Sequence, residues 1–107
     1  MVEITTLEQL SELKPGDKIY HVERGHLTSY VFCCKNPKIP EAFIALDDGN
    51  WTKAVSIKVY TPLRNRALYY GKYNSTHLGL VMVQQLTDEI KQIREVFSKE
   101  KVTRDNP

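Results

Sequence analysis

The sequence predicts an α+β fold. A small antiparallel barrel or curled sheet of four or five strands should carry a short N-terminal helix and have a long amphipathic C-terminal helix packed on it. Three observations lead there. Turn signals at Pro15-Gly16, Arg24-Gly25 and Asp48-Gly49 cut residues 17–70 into short runs rich in β-branched and aromatic residues. Gly79, Val83, Leu86, Ile90, Ile93 and Phe97 then recur at alternating spacings of four and three, which is a helical stripe. Finally, a chain of 107 residues, 41% hydrophobic and 26% charged, suits one soluble domain with a modest core. The expected layout is a helix within 1–14, a β region over 17–70, a helix over 75–101 and a frayed tail over 102–107.

Ile4 to Leu13 reads as the first helix. Thr5 or Thr6 can cap its free N–H groups, with Glu8 or Gln9 completing a capping box. Pro15 cannot continue it, and Gly16 permits the turn. Lys18–Val22 is the first expected strand and Leu27–Cys34 the second. Pro37 and Pro40 make the next segment a loop, since proline donates nothing to a ladder. Ala42–Leu46 and Trp51–Tyr60 form the next hairpin around Asp48-Gly49. In the last of these, Trp51, Val55, Ile57 and Val59 should point inward, and Thr52, Ala54, Ser56, Lys58 and Tyr60 outward. Leu68–Tyr70 is a short fifth strand. Gly71 marks a turn, and Asn74-Ser75-Thr76 can cap the long helix. Thr87-Asp88 offers a second cap that would split it, and Glu95 with Lys99 forms an i,i+4 pair.

Leu13-Lys14-Pro15-Gly16-Asp17-Lys18-Ile19-Tyr20 resembles the opening of many SH3-like small barrels, in which a Pro-Gly-Asp turn leads into the first strand. The resemblance spans residues 13–70 and implies a binding module more often than an enzyme.

Charge is unevenly distributed. Residues 1–48 hold eight acids and five bases, residues 49–87 hold five bases and no acid, and residues 88–107 balance. Within the acid-free segment, Tyr60 to Tyr73 carries four of the six tyrosines. Tyrosine and arginine bring large contact area with a polar tip, so Lys58, Tyr60, Arg64, Arg66, Tyr69, Tyr70, Lys72 and Tyr73 are the nominated partner-binding residues. The plainer reading is that one of Tyr69 and Tyr70 belongs to the core and the arginines are merely solvated. A protein partner is the first expectation, with an adaptor or inhibitor role of the kind small phage and mobile-element proteins fill. A nucleic-acid surface, with bases stacking on tyrosines, is the alternative. The helical stripe is expected to be the lid of the sheet; a homodimer seam is its other reading, so the chain is expected to be a monomer or a helix-mediated homodimer.

Other chemistry is weakly signalled. Cys33-Cys34 on a strand would send one thiol inward and one outward, badly placed to share a metal. His21 and His26 flank one turn but lack a ligand set at zinc-site spacing. Asp47-Asp48 suits turn geometry better than a cation. No nucleophile elbow, phosphate loop or dinucleotide fingerprint occurs. The expectation is a non-enzyme without cofactor or metal; a metal-dependent enzyme is a remote third reading. No span suits a membrane, and two cysteines make no disulfide framework, so a cytoplasmic location is expected.

Overall fold

The computed structural model describes residues 1–59 and 66–104, with side chains described as far as residue 98. Six antiparallel strands form one sheet: β1 (Val2–Glu3), β2 (Lys18–Glu23), β3 (His26–Lys35), β4 (Ala42–Asp47), β5 (Asn50–Lys58) and β6 (Arg66–Tyr70). Their order is β1-β6-β2-β3-β4-β5, so the sheet is open, with β1 and β5 at its edges. A 3₁₀ helix spans Leu7–Glu12, and α1 spans Ser75–Arg104.

The hairpins follow from their turns. Arg24 and Gly25 both adopt positive φ, 50° and 80°, the primed geometry that matches strand twist in a two-residue hairpin. At the β4–β5 turn, Asp47 Oδ1 accepts from the Gly49 N–H at 2.8 Å, and Asp48 bonds the Ser29 hydroxyl and pairs with Lys18. Asp47 thus serves the turn, as its setting in Asp-Asp-Gly-Asn suggests, while Asp48 ties the turn to β2 and β3. The Lys14 N–H donates to Asp17 Oδ2, closing the Pro-Gly-Asp turn that feeds β2.

Both faces of the sheet are covered in part. On one, Ile4, Leu10 and Leu13 from the N-terminal segment pack over Ile19, Phe32, Phe43, Ile57 and Leu68. Each such side chain fully buried contributes about 1.5–3 kcal/mol. Gln9 Oε1 accepts from the N–H groups of Thr5 and Thr6, and Tyr70 donates its hydroxyl to Glu12 Oε2 at 2.7 Å, tying the 3₁₀ helix to β6. On the other face, Leu78, Val81 and Met82 of α1 pack on Tyr20, Val22, Leu27, Ala67 and Tyr69. The Asn74 side chain caps α1 by accepting from the His77 N–H.

Several expectations are corrected. The N-terminal helix is a 3₁₀ helix of six residues, shorter than 4–13. Among the described residues the sheet has six strands, because Val2–Glu3 adds a two-residue strand along β6. Trp51 is 62% exposed although Val55, Ile57 and Val59 face inward as expected; it lies next to the register shift at the β4–β5 hairpin, past the end of the core. Both cysteines are exposed, because a bulge between Phe32 and Cys34 breaks the alternation. Thr87 caps nothing; its hydroxyl donates back to the Val83 carbonyl inside a continuous α1. The Glu95–Lys99 pair lies outside the described side chains.

Candidate functional site

Two surfaces stand out. The first is a cleft of about 350 Å³ on the face that carries the 3₁₀ helix, lined by His21, Glu23, Tyr30, Val55, Ile57, Lys58 and Arg66. Strands β5 and β6 are separated by three others in the sheet order, yet both line this cleft, so the sheet is curled around it. Arg66 Nε donates to His21 Nε2 at 3.2 Å, which requires a neutral imidazole carrying its proton on Nδ1. Burial and the Arg66 charge hold the His21 pKa below its ordinary value, against a weaker upward pull from Glu23. Burial likewise raises Tyr30, helped by Asp47.

The structure distributes the residues nominated from sequence rather than gathering them. Lys58 and Arg66 meet in the cleft. Tyr70 lies on the same face, half-buried and committed to Glu12. Tyr69, one residue earlier, points through the sheet to the other face, where it is buried edge-on against His77. Lys72 and Tyr73 are exposed after β6, with the Tyr73 ring 5.3 Å from that of Tyr20. Tyr60 and Arg64 lie outside the described residues. Strand alternation therefore splits the tyrosine-rich segment between two faces.

The second surface is α1 itself. Only its first turns rest on the sheet. Gln85, 6% exposed, is the last buried residue among the described side chains: its Oε1 accepts from the Gly25 N–H at 2.9 Å and its Nε2 donates to the Val22 carbonyl at 3.0 Å. Leu86 lies over Gly25 so closely that a Cβ there would come within 2.5 Å of it, and Glu89 pairs with Arg24 at 3.3 Å. Beyond this hairpin tip the helix projects, as the 60 × 33 × 27 Å extents reflect.

The stripe foreseen as the lid does not cover the sheet. Its large residues Val83, Leu86, Ile90, Ile93 and Phe97 are each between 47% and 66% exposed, and Leu80 at 67% and Val96 at 57% lie exposed to either side of it. The physical reason is angular. At 100° per residue, the stripe lies about a quarter to a third of a turn away from the side bearing Leu78, Met82 and Gln85. A shallow hollow of about 380 Å³ lies between Arg24 and the helix at Glu89, Gln92, Ile93, Val96 and Phe97. The sequence showed the stripe but not which side docks, because the docking side is closed by a glutamine that periodicity counts as polar.

Among the described residues, no group of three or more His, Cys, Asp or Glu side chains is placed to hold a metal, and no helix is long and apolar enough to cross a membrane. No protein-family model, curated protein or solved structure matches the chain.

Proposed function

We propose that this protein is a non-enzymatic protein-binding module, and that it engages a partner helix through the projecting face of α1. The observation that carries the reading is the continuous row of large, exposed apolar side chains from Leu80 to Phe97. Apolar patches on monomers rarely exceed a few hundred Å², and larger ones mark interaction sites. A heptad-like spacing suits a helix as the occupant, since a second helix fills such a row with interdigitating side chains. An adaptor or inhibitor role follows: the sheet is a rigid base and the helix is the working arm. The SH3-like likeness of residues 13–70 belongs to the same proposal, as does a cytoplasmic location, which rests on two unpaired and exposed thiols.

The cleft at Arg66 and Lys58 is the second reading. It offers two cations and Tyr30 beside apolar Val55 and Ile57, and would suit an anionic segment of a partner or a nucleic-acid phosphate. It supports nucleic acid less than the sequence did, since Lys72 and Tyr73 are not part of it.

Affinity capture from host lysate, with and without nuclease, tests the proposal. Wild type should retain a protein that survives nuclease and is lost with the double variant Ile90→Glu/Ile93→Glu. Equal capture by both would overturn the helix reading. Loss with Lys58→Ala/Arg66→Ala instead would move the site to the cleft, and loss on nuclease treatment would favour nucleic acid.

A further inference from the structure

We infer that the helix which covers α1 is the α1 of a second copy, aligned in parallel as a short two-stranded coiled coil. This rests on the helix–helix reading above and names its partner. Register is the first support. Val83, Ile90 and Phe97 fall at heptad position a, and Leu86 and Ile93 at d. A β-branched residue at a with leucine at d favours two parallel strands, and Val83 with Leu86 fits this; Ile93 at the second d and Phe97 at the third a are the departures. The polar residues Gln84, Asp88, Lys91, Glu95 and Ser98 occupy the outer positions.

Charge is the second support. In a parallel pair, position g of one helix faces position e of the next heptad on the other, five residues along. Glu89 is at g and Arg94 is the e five residues later, so the dyad would create two Glu89–Arg94 pairs across the seam. An antiparallel pair sets g against g and e against e, which brings no such attraction. Arg24 of the hairpin already holds the Glu89 carboxylate at that edge of the helix.

Area and access are the third. The exposed fractions of the five seam residues, with Leu80 and Val96 flanking them at positions e and g, amount to roughly 600–800 Å² per chain, taking about 150–200 Å² for a whole large apolar side chain. A standard interface buries about 800 Å² per partner. The seam is turned about 100° from the side that docks on the sheet. Leu86 already lies over Gly25 of the same chain, so a second helix would meet the seam beside that hairpin tip, where Val83, Ile90, Ile93 and Phe97 remain exposed.

Sedimentation equilibrium of the purified full chain provides the test. A reversible dimer with a dissociation constant on the order of micromolar is expected. Ile90 lies outside both core clusters, so Ile90→Glu should keep the circular dichroism spectrum while weakening association at least 100-fold, by placing two carboxylates in one layer. Arg94→Glu should weaken it about tenfold, by turning two attractive pairs repulsive. Parallel alignment is read by Ile93→Cys in a Cys33→Ser/Cys34→Ser background, which should oxidise to a covalent dimer because equivalent d residues share a layer. A chain that stays monomeric throughout the micromolar range overturns the inference. A non-covalent dimer that Ile93→Cys does not cross-link overturns the parallel alignment. A monomer that still captures a helical protein through Ile90 overturns the second copy alone and leaves the helix–helix reading standing; a dimer indifferent to Ile90→Glu overturns both.

Discussion

Replacing Gln85 by alanine should remove the fastening that holds α1 to the sheet. The side chain is buried and bridges two backbone groups of the β2–β3 hairpin, the Gly25 N–H at 2.9 Å and the Val22 carbonyl at 3.0 Å. Truncation leaves both without that partner. A buried group deprived of its partner costs about 1–3 kcal/mol, and half-exposed Gly25 lets water recover part of one of them. The expected loss is about 2–3 kcal/mol, which in a domain of this size lowers Tm by roughly 10–20 °C. Urea unfolding followed by circular dichroism at one fixed protein concentration measures it, since self-association would add a mass-action term. Gln85→Glu separates hydrogen bonding from packing. It keeps the shape but cannot donate to Val22 when ionised, so it should be as damaging as alanine near neutral pH and partly recover on acidification. A Gln85→Ala variant within about 0.5 kcal/mol of wild type would refute the reasoning.

Gly25→Ala should cost about 1–2 kcal/mol, because residue 25 sits at φ 80° and the new Cβ would displace Leu86; denaturant midpoints check this. His21 gives a pH dependence with a definite sign. Its folded pKa lies below the unfolded value near 6.5, so the unfolded chain binds the proton more readily. The stabilisation that neutral His21 contributes is complete above that unfolded value. It is lost as pH falls through the window below it, and His21→Gln should flatten that part of the stability profile. Arg66→Ala removes both the neighbouring cation and the donor to Nε2, so the His21 pKa should rise, a change read directly by NMR titration of the imidazole. An unchanged pKa would show that burial alone sets it.

Much of the fold is written locally. Pro15-Gly16-Asp17, Arg24-Gly25 and Asp48-Gly49 each encode a turn through backbone chemistry within a few residues, so the four strands from Lys18 to Lys58 are legible to within about two residues, the precision with which element ends are defined at all. Asn74 as the start of α1 is local in the same way. The features that were not legible depend on distant partners. Val2–Glu3 becomes a strand only because β6 offers it an edge. The bulge beside Cys33 is set by how β3 meets β4, and it turns both thiols outward. Of the nominated site, alternation alone separates Tyr69 from Tyr70, so their opposite faces could be read from the sequence, while the meeting of Arg66 with His21 required the strand order. The helix misleads most. Its strongest periodicity marks the face left open, and its docked face depends on a glutamine whose role appears only beside Gly25.

The projection of α1 also governs how the molecule moves through solvent. Its radius of gyration is 17.4 Å, against about 13 Å for a compact chain of this length. A particle 60 Å long and 27 Å thin has a larger frictional coefficient than a sphere of equal mass. A single 12.4 kDa chain would therefore leave a gel-filtration column early, near the volume of a heavier compact protein. Elution volume would report the length of the arm before it reported the number of chains.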